Sequence, residues 1–316
     1  MAPSFTPSEI TLKELRGSTF KQLVDDGLTF IDADGVRWTA PMGTWTDGAS
    51  VPRFALGITD GRFVKGFLRA AVVHDAYCQK ENKDRRPPYQ SRPWKDTHRM
   101  FHQACVAGGT PRLMARLMFS AVSWFGPRWD DPAGETRQVP PDLARVAFSA
   151  TKQWIEKEDP SLGDIEADVA QREPAVMEIY RLQYAALGAM GRGDRSGAKA
   201  KLQEAEGSLS AGLERSPEDL MFLNLKGYQH KNWAMLQPDK RQEELNKAER
   251  LFNRVTAAEP RDASALNGLG SVAFLRGDLD QAERFIRQAL ELVPDYQAAL
   301  DDLELVEKTR ASRSSR

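Results

Sequence analysis

Six side chains able to move a proton or hold a cation fall in three short segments of the first third of the chain. Asp47 lies in Thr46-Asp-Gly-Ala-Ser-Val-Pro-Arg53, and His74 and Asp75 in Phe67-Leu-Arg-Ala-Ala-Val-Val-His-Asp-Ala-Tyr-Cys78. Asp96, His98 and His102 lie in Lys95-Asp-Thr-His-Arg-Met-Phe-His102. An imidazole is a general base near neutral pH, and a carboxylate beside it fixes its tautomer. Asp47, Asp96 and His98 are the candidate partners of His74 and Asp75, with Asp47 a ligand or orienting carboxylate, and His74, Asp75, Asp96 and Asp47 are together the candidate hydrolase-like site, with a divalent metal, calcium or zinc, as its cofactor. His98 and His102, four residues apart, are a further candidate zinc pair. Tyr77, Arg53, Arg85 and Arg86 are the candidate substrate contacts, and the basic stretch 80–99 would draw an anionic substrate. The same residues admit a structural account. An imidazole and a carboxylate set among Ala70, Ala71, Val72 and Val73 are costly unless partnered. A satisfied network could tie several elements together without turning anything over. In that account Asp47 is a turn former and Cys78 and Cys105 are small buried hydrophobes.

The elements that must position these groups follow from pattern. Residues 8–15 read as a helix. Two runs of β-formers flank Asp34-Gly35, which predicts a hairpin whose second strand ends at Pro41. Residues 66–79 form a helix on which His74 and Asp75 diverge by about 100°, so they face different partners. The connection 80–94 is rich in proline and basic residues. Helices follow over 96–107, with Asp96 near the N-terminus, and over 111–125, whose amphipathic stripe suits core packing. Residues 126–141 carry the turn residues of a boundary, and 142–158 and 164–172 read as connecting helices.

Composition bounds the class. The 316 residues suggest two domains, and 41% hydrophobic with 28% charged residues is globular. Lys and Arg number 44 against 45 Asp and Glu, so no global field favours nucleic acid or a membrane. Two cysteines are too few for a disulfide framework. With no signal-peptide pattern and no membrane-length apolar run, the expected location is cytoplasmic.

From Pro174 the pattern repeats. Leu266, Leu269, Gly270, Ala273, Gly277-Asp278, Ala282, Ile286, Ala289 and Pro294 resemble the tetratricopeptide repeat at its signature positions. Leu223, Gly227, Ala248, Phe252 and Pro260 form a looser copy, lengthened around 235–244. Tyr180, Leu187, Gly193-Asp194, Ala198, Leu202 and Ala205 form another. The resemblance implies a solenoid whose concave face takes a protein or peptide ligand. Earlier in the chain, Thr46-Asp-Gly-Ala-Ser-Val-Pro52 and His74-Asp-Ala-Tyr77 resemble an uncharacterised domain family of phage and bacterial genomes, over about residues 20–130. His74-Asp75 on one helix with Asp96 on the next also resembles secreted phospholipases. That resemblance implies His74 as general base, Asp75 as calcium ligand, Asp96 as orienting group, and membrane contact.

The expected architecture is an α+β domain over 1–130, connecting helices over 131–173, an all-α repeat solenoid over 174–310 and a tail over 311–316, mainly α overall. The expected function is metal-assisted hydrolysis, phospholipase-like, by a protein that binds partners through its repeats. The alternative is a non-catalytic interaction or assembly protein whose His-Asp cluster is structural.

Overall fold

The computed structural model describes residues 2–16, 20–48, 64–84, 88–130, 137 and 139–314. Arg53, Arg85, Arg86 and the Ala49–Arg53 half of the first motif lie outside the described residues. The chain divides into two compact units, one of residues 1–140 and 154–169, the other of residues 141–153 and 170–316.

The first unit opens on six short strands in two antiparallel sheets. β1 (Ser4–Thr6), β4 (Gly27–Ile31) and β5 (Arg37–Pro41) form one, and β2 (Leu12–Glu14), β3 (Lys21–Leu23) and β6 (Trp45–Thr46) the other. The expected hairpin is β4–β5, with Phe30 opposite Trp38 and Leu28 opposite Ala40. All four side chains are buried, so alternation along each strand sends one face to the core. Asp32 fastens the turn. One of its oxygens accepts from the Asp34 and Val36 amides and the other from the Trp38 indole at 2.8 Å. Gly35 supplies the positive φ of 79° that the turn demands.

The helix expected over 8–15 is instead a bend followed by β2, with Leu12 paired to Leu23. Eight residues make a marginal helix, and the partner strand satisfies the backbone of this stretch better.

Three helices complete the region around the cluster: α1 (Val64–Cys78), α2 (Trp94–Ala107) and α3 (Arg112–Phe125). Leu117, Met118, Ala121 and Val122 of α3 are buried, which spends its apolar stripe on the core. Among the described residues no helix is long and apolar enough to cross a membrane.

The helical remainder runs α4 (Pro141–Glu158), α5 (Leu162–Gly191), α6 (Arg195–Arg215), α7 (Leu220–Leu236), α8 (Arg241–Ala258), α9 (Ala263–Arg276), α10 (Leu279–Leu292) and α11 (Gln297–Ser314). Aspartates 194, 219, 262 and 278 cap α6, α7, α9 and α10, each accepting from a first-turn amide. Helix α5 runs 30 residues and carries Pro174 inside it, where the ring removes one helical hydrogen bond. The tail expected from residue 311 is helical to Ser314, held by Arg310 on Asp280 at 2.6 Å and by Arg313 donating to the Gly277 carbonyl.

Packing between repeats rests on missing side chains. A Cβ on Gly270 would sit 2.6 Å from Ile286 and 3.2 Å from the Ala282 carbonyl, so the signature glycine sets the approach of α9 to α10. The fully buried Phe252 ring lies against both Gly227 and Gly268.

Candidate functional site

The apolar residues that make α1 a helix also make it a core element. Phe67, Ala70, Ala71, Val72 and Val73 are all buried, so the polar pair that follows them is carried inward. His74 is 1% exposed, Asp75 3%, Cys78 5% and His98 1%. The hundred-degree divergence has its expected consequence: the two side chains meet different elements.

His74 Nε2 lies 3.0 Å from His98 Nδ1, so one proton is shared between the rings. Phe101 and Trp94 close the apolar surround, at 4.8 Å from His74 and 5.4 Å from His98 between ring centroids. Asp75 turns the other way and accepts from the Thr46 hydroxyl at 2.6 Å, and that oxygen in turn accepts from the Gly48 amide. Cys78, one turn beyond His74, donates to the His74 carbonyl at 2.9 Å and sits 3.2 Å from His74 Nδ1. The other Asp75 oxygen is 3.7 Å from the same nitrogen.

The remaining site candidates scatter. Asp96 is exposed in the first turn of α2, and the His74 ring meets His98 in the place expected of it. Asp47 is exposed on the turn that Asp75 holds. Tyr77 is buried, its hydroxyl accepting from the Thr39 amide at 3.1 Å and its ring edge-on to Trp38, which pins α1 to β5. His98 and His102 do not converge on a shared ligand position. His98 spends Nδ1 on His74 and packs Nε2 against Gly126, where a Cβ would lie 2.7 Å away. His102 shares a cavity of about 310 Å³ with Arg112 and Arg116.

Electrostatics follow burial. Desolvation first, then His74 and Arg128, holds His98 well below the ordinary imidazole range, so it is neutral. Burial and the arginines 116 and 112 lower His102 to about 4. Burial, then Asp75 and Asp47, raises the Cys78 thiol. Burial alone raises Cys105.

Two residues that no sequence pattern marks complete the cluster. Asn82, buried behind α1, accepts from the Trp45 amide at 2.8 Å and donates to the Trp45 and Asp75 carbonyls at 2.9 Å each. It serves as a strand partner for β6 and ends the helix at once. Gly126 admits the His98 ring.

The second unit has its own recess. A cavity of about 220 Å³ is lined by Tyr180 and Gln183 of α5, Tyr228 and Lys231 of α7, Asn267 of α9 and Asp302 of α11, together with Leu143 and Val146 of α4. The first half of α4 therefore lies over the face made by the leading helix of each repeat. Leu143, Ala144, Val146, Ala147 and Phe148 are buried, and Lys152 donates to Glu259 at 2.8 Å.

Comparisons with known proteins divide the chain in the same way. Residues 22–122 match the family described as "Protein of unknown function (DUF1353)", and residues 240–297 match the tetratricopeptide repeat. The chain is 36% identical over 118 residues to the uncharacterized protein y4iH of Sinorhizobium fredii, covering 37% of this chain and 46% of that one. It is 38% identical over 101 residues to y4jT of the same organism, covering 32% and 27%. A TPR repeat-containing protein of Pseudomonas aeruginosa is 30% identical over 98 residues, covering 31% and 15%. The chain thus spans less than half the length of each of these relatives. Among solved structures, an O-GlcNAc transferase mutant of Thermobaculum terrenum aligns over 42% of this chain and 22% of that one. Its identity is 24% and its TM-score 0.27.

Proposed function

Because the chain joins an N-terminal DUF1353 domain to C-terminal tetratricopeptide repeats, we propose that it is an interaction protein. Its repeats grip an amphipathic helical segment, and the His74–Asp75 cluster is a buried clasp for the N-terminal domain. Tetratricopeptide repeats serve protein–protein interaction in general. The observation that carries the finer reading is the position of α4: Leu143 and Val146 enter the recess walled by Tyr180, Tyr228 and Asn267. A helix of this chain already sits where a partner helix would. Two buried carboxamide oxygens there, Asn232 Oδ1 and Asn267 Oδ1, have no partner among the described residues. The Asn267 amide donates to Asp302 at 3.0 Å, which leaves that oxygen as an acceptor.

Hydrolysis is the less favoured reading. A base that activates water needs an open face, and the His74 ring is 1% exposed with His98, Phe101 and Cys78 packed around it.

The test is to unseat α4. In a Leu143→Asp, Val146→Asp variant, a labelled peptide of residues 141–153 should bind saturably. The wild-type chain should bind it poorly, because its own α4 competes at the millimolar effective concentration of a tethered segment. A folded variant that binds no better than wild type contradicts the reading.

A further inference from the structure

The cavity that His102 borders has walls suited to an anion. Its volume of about 310 Å³ is at the small end of the range for ligand pockets. Arg112 and Arg116 of α3 line it with His102, Gln103 and Val106 of α2, and no acid is among its lining residues.

Donors in these walls outnumber acceptors. Gln103 Oε1 accepts from the Ala33 amide at 2.9 Å, which leaves Nε2 as a donor. Arg116 pairs with Asp159 through Nη1 and keeps its other N–H groups. The Arg112 side chain makes no ion pair or hydrogen bond among the described residues. His102 Nδ1 is buried without a partner among them.

The two charges are also placed unfavourably. Arg112 and Arg116 lie four residues apart at the N-terminal end of α3, where the helix dipole is positive. The first turn holds no acid, and Pro111 before it provides no side-chain cap. Asp159 offsets one of the guanidiniums. An oxyanion in the cavity would offset the other, and the guanidinium fork takes carboxylate or phosphate through paired N–H donors. Val106, 37% exposed, gives an apolar wall for the body that carries the anionic group.

We propose that this cavity binds a small organic oxyanion, a carboxylate or a phosphate monoester, with Arg112 as its principal ligand. The site belongs to the N-terminal unit and stands or falls separately from the interaction reading.

The full chain, with ¹³C in its histidine rings, reports binding directly. Phenyl phosphate or benzoate, titrated at pH 7 against sodium chloride of matched ionic strength, should move the His102 ring resonance along a saturating curve. That resonance is identified by its loss in His102→Gln. The tighter of the two probes names the anionic group, and benzamide, uncharged and of similar shape, should not bind. Arg112→Gln replaces an exposed side chain that holds nothing in the fold, and should raise the apparent Kd about tenfold. A His102 shift that chloride reproduces, a response that never saturates with either probe, or an unchanged Kd in Arg112→Gln overturns the proposal.

Discussion

Asn82→Ala is expected to be among the most damaging single changes in the N-terminal domain, costing about 3 kcal/mol. The carboxamide makes three hydrogen bonds in a site that is 1% exposed. Alanine would leave the Trp45 amide, the Trp45 carbonyl and the Asp75 carbonyl short of a partner with no room for water to replace each contact. The Trp45 amide suffers most, because a buried donor with nothing to donate to bears the full cost of desolvation. Asn82→Asp is the informative control. It keeps the acceptor for Trp45 but loses both donations and adds a negative charge close to Asp75, so it should be no milder than alanine. Urea unfolding monitored by amide exchange in α1 would read both variants, and an Asn82→Ala domain as stable as wild type would contradict this account.

Gly268→Ala should cost the repeat domain a similar amount, about 3 kcal/mol, the upper end of ordinary overpacking. The added methyl would lie 2.4 Å from Cζ of Phe252. A side chain at such a contact usually swings aside. Phe252 has little freedom to do so, because it is fully buried and the same ring also lies against Gly227, where a Cβ would be 2.6 Å away. Phe252→Leu combined with Gly268→Ala should recover part of the loss. Gly207→Ala, in α6 with nothing within 4 Å of the new methyl, should instead stabilise by up to about 1 kcal/mol from helix propensity. Thermal unfolding of the three variants separates a packing cost from a generic glycine effect.

These cases mark where sequence reasoning works on this chain. The Asp34-Gly35 hairpin was legible because turn chemistry and strand alternation are local. The repeat was legible because small residues recur at fixed spacing for a packing reason. Helix α1 was legible too, as was the divergence of His74 from Asp75. Their partners were not. Asp96 is a carboxylate near a helix start, a position that the helix dipole favours in an exposed residue whether or not it orients a base. Spacing along one helix pairs His98 with His102, whereas packing against α1 separates them. Asn82 carries no local signature, since its three bonds reach strand and helix backbone that only tertiary structure brings together. α4 reads as an amphipathic connecting helix. Periodicity shows that such a helix buries a face, never against what. The stretch at 8–15 failed for a related reason: eight residues leave propensity weaker than the pairing offered by β3.

The central claim is that the His74 cluster is a buried clasp and that binding belongs to the repeats. Imidazole accessibility tests the first half most directly. The chain has four histidines, and diethyl pyrocarbonate modifies a neutral ring that solvent reaches. At pH 6 His102, half-buried and lowered to about 4, is neutral and should react in the folded protein. His74 and His98, each 1% exposed, should remain unmodified until denaturant opens the domain, and should then react together. Peptide mass mapping that finds His74 modified in the folded chain at the rate of an exposed imidazole would place it in an open site and contradict the clasp.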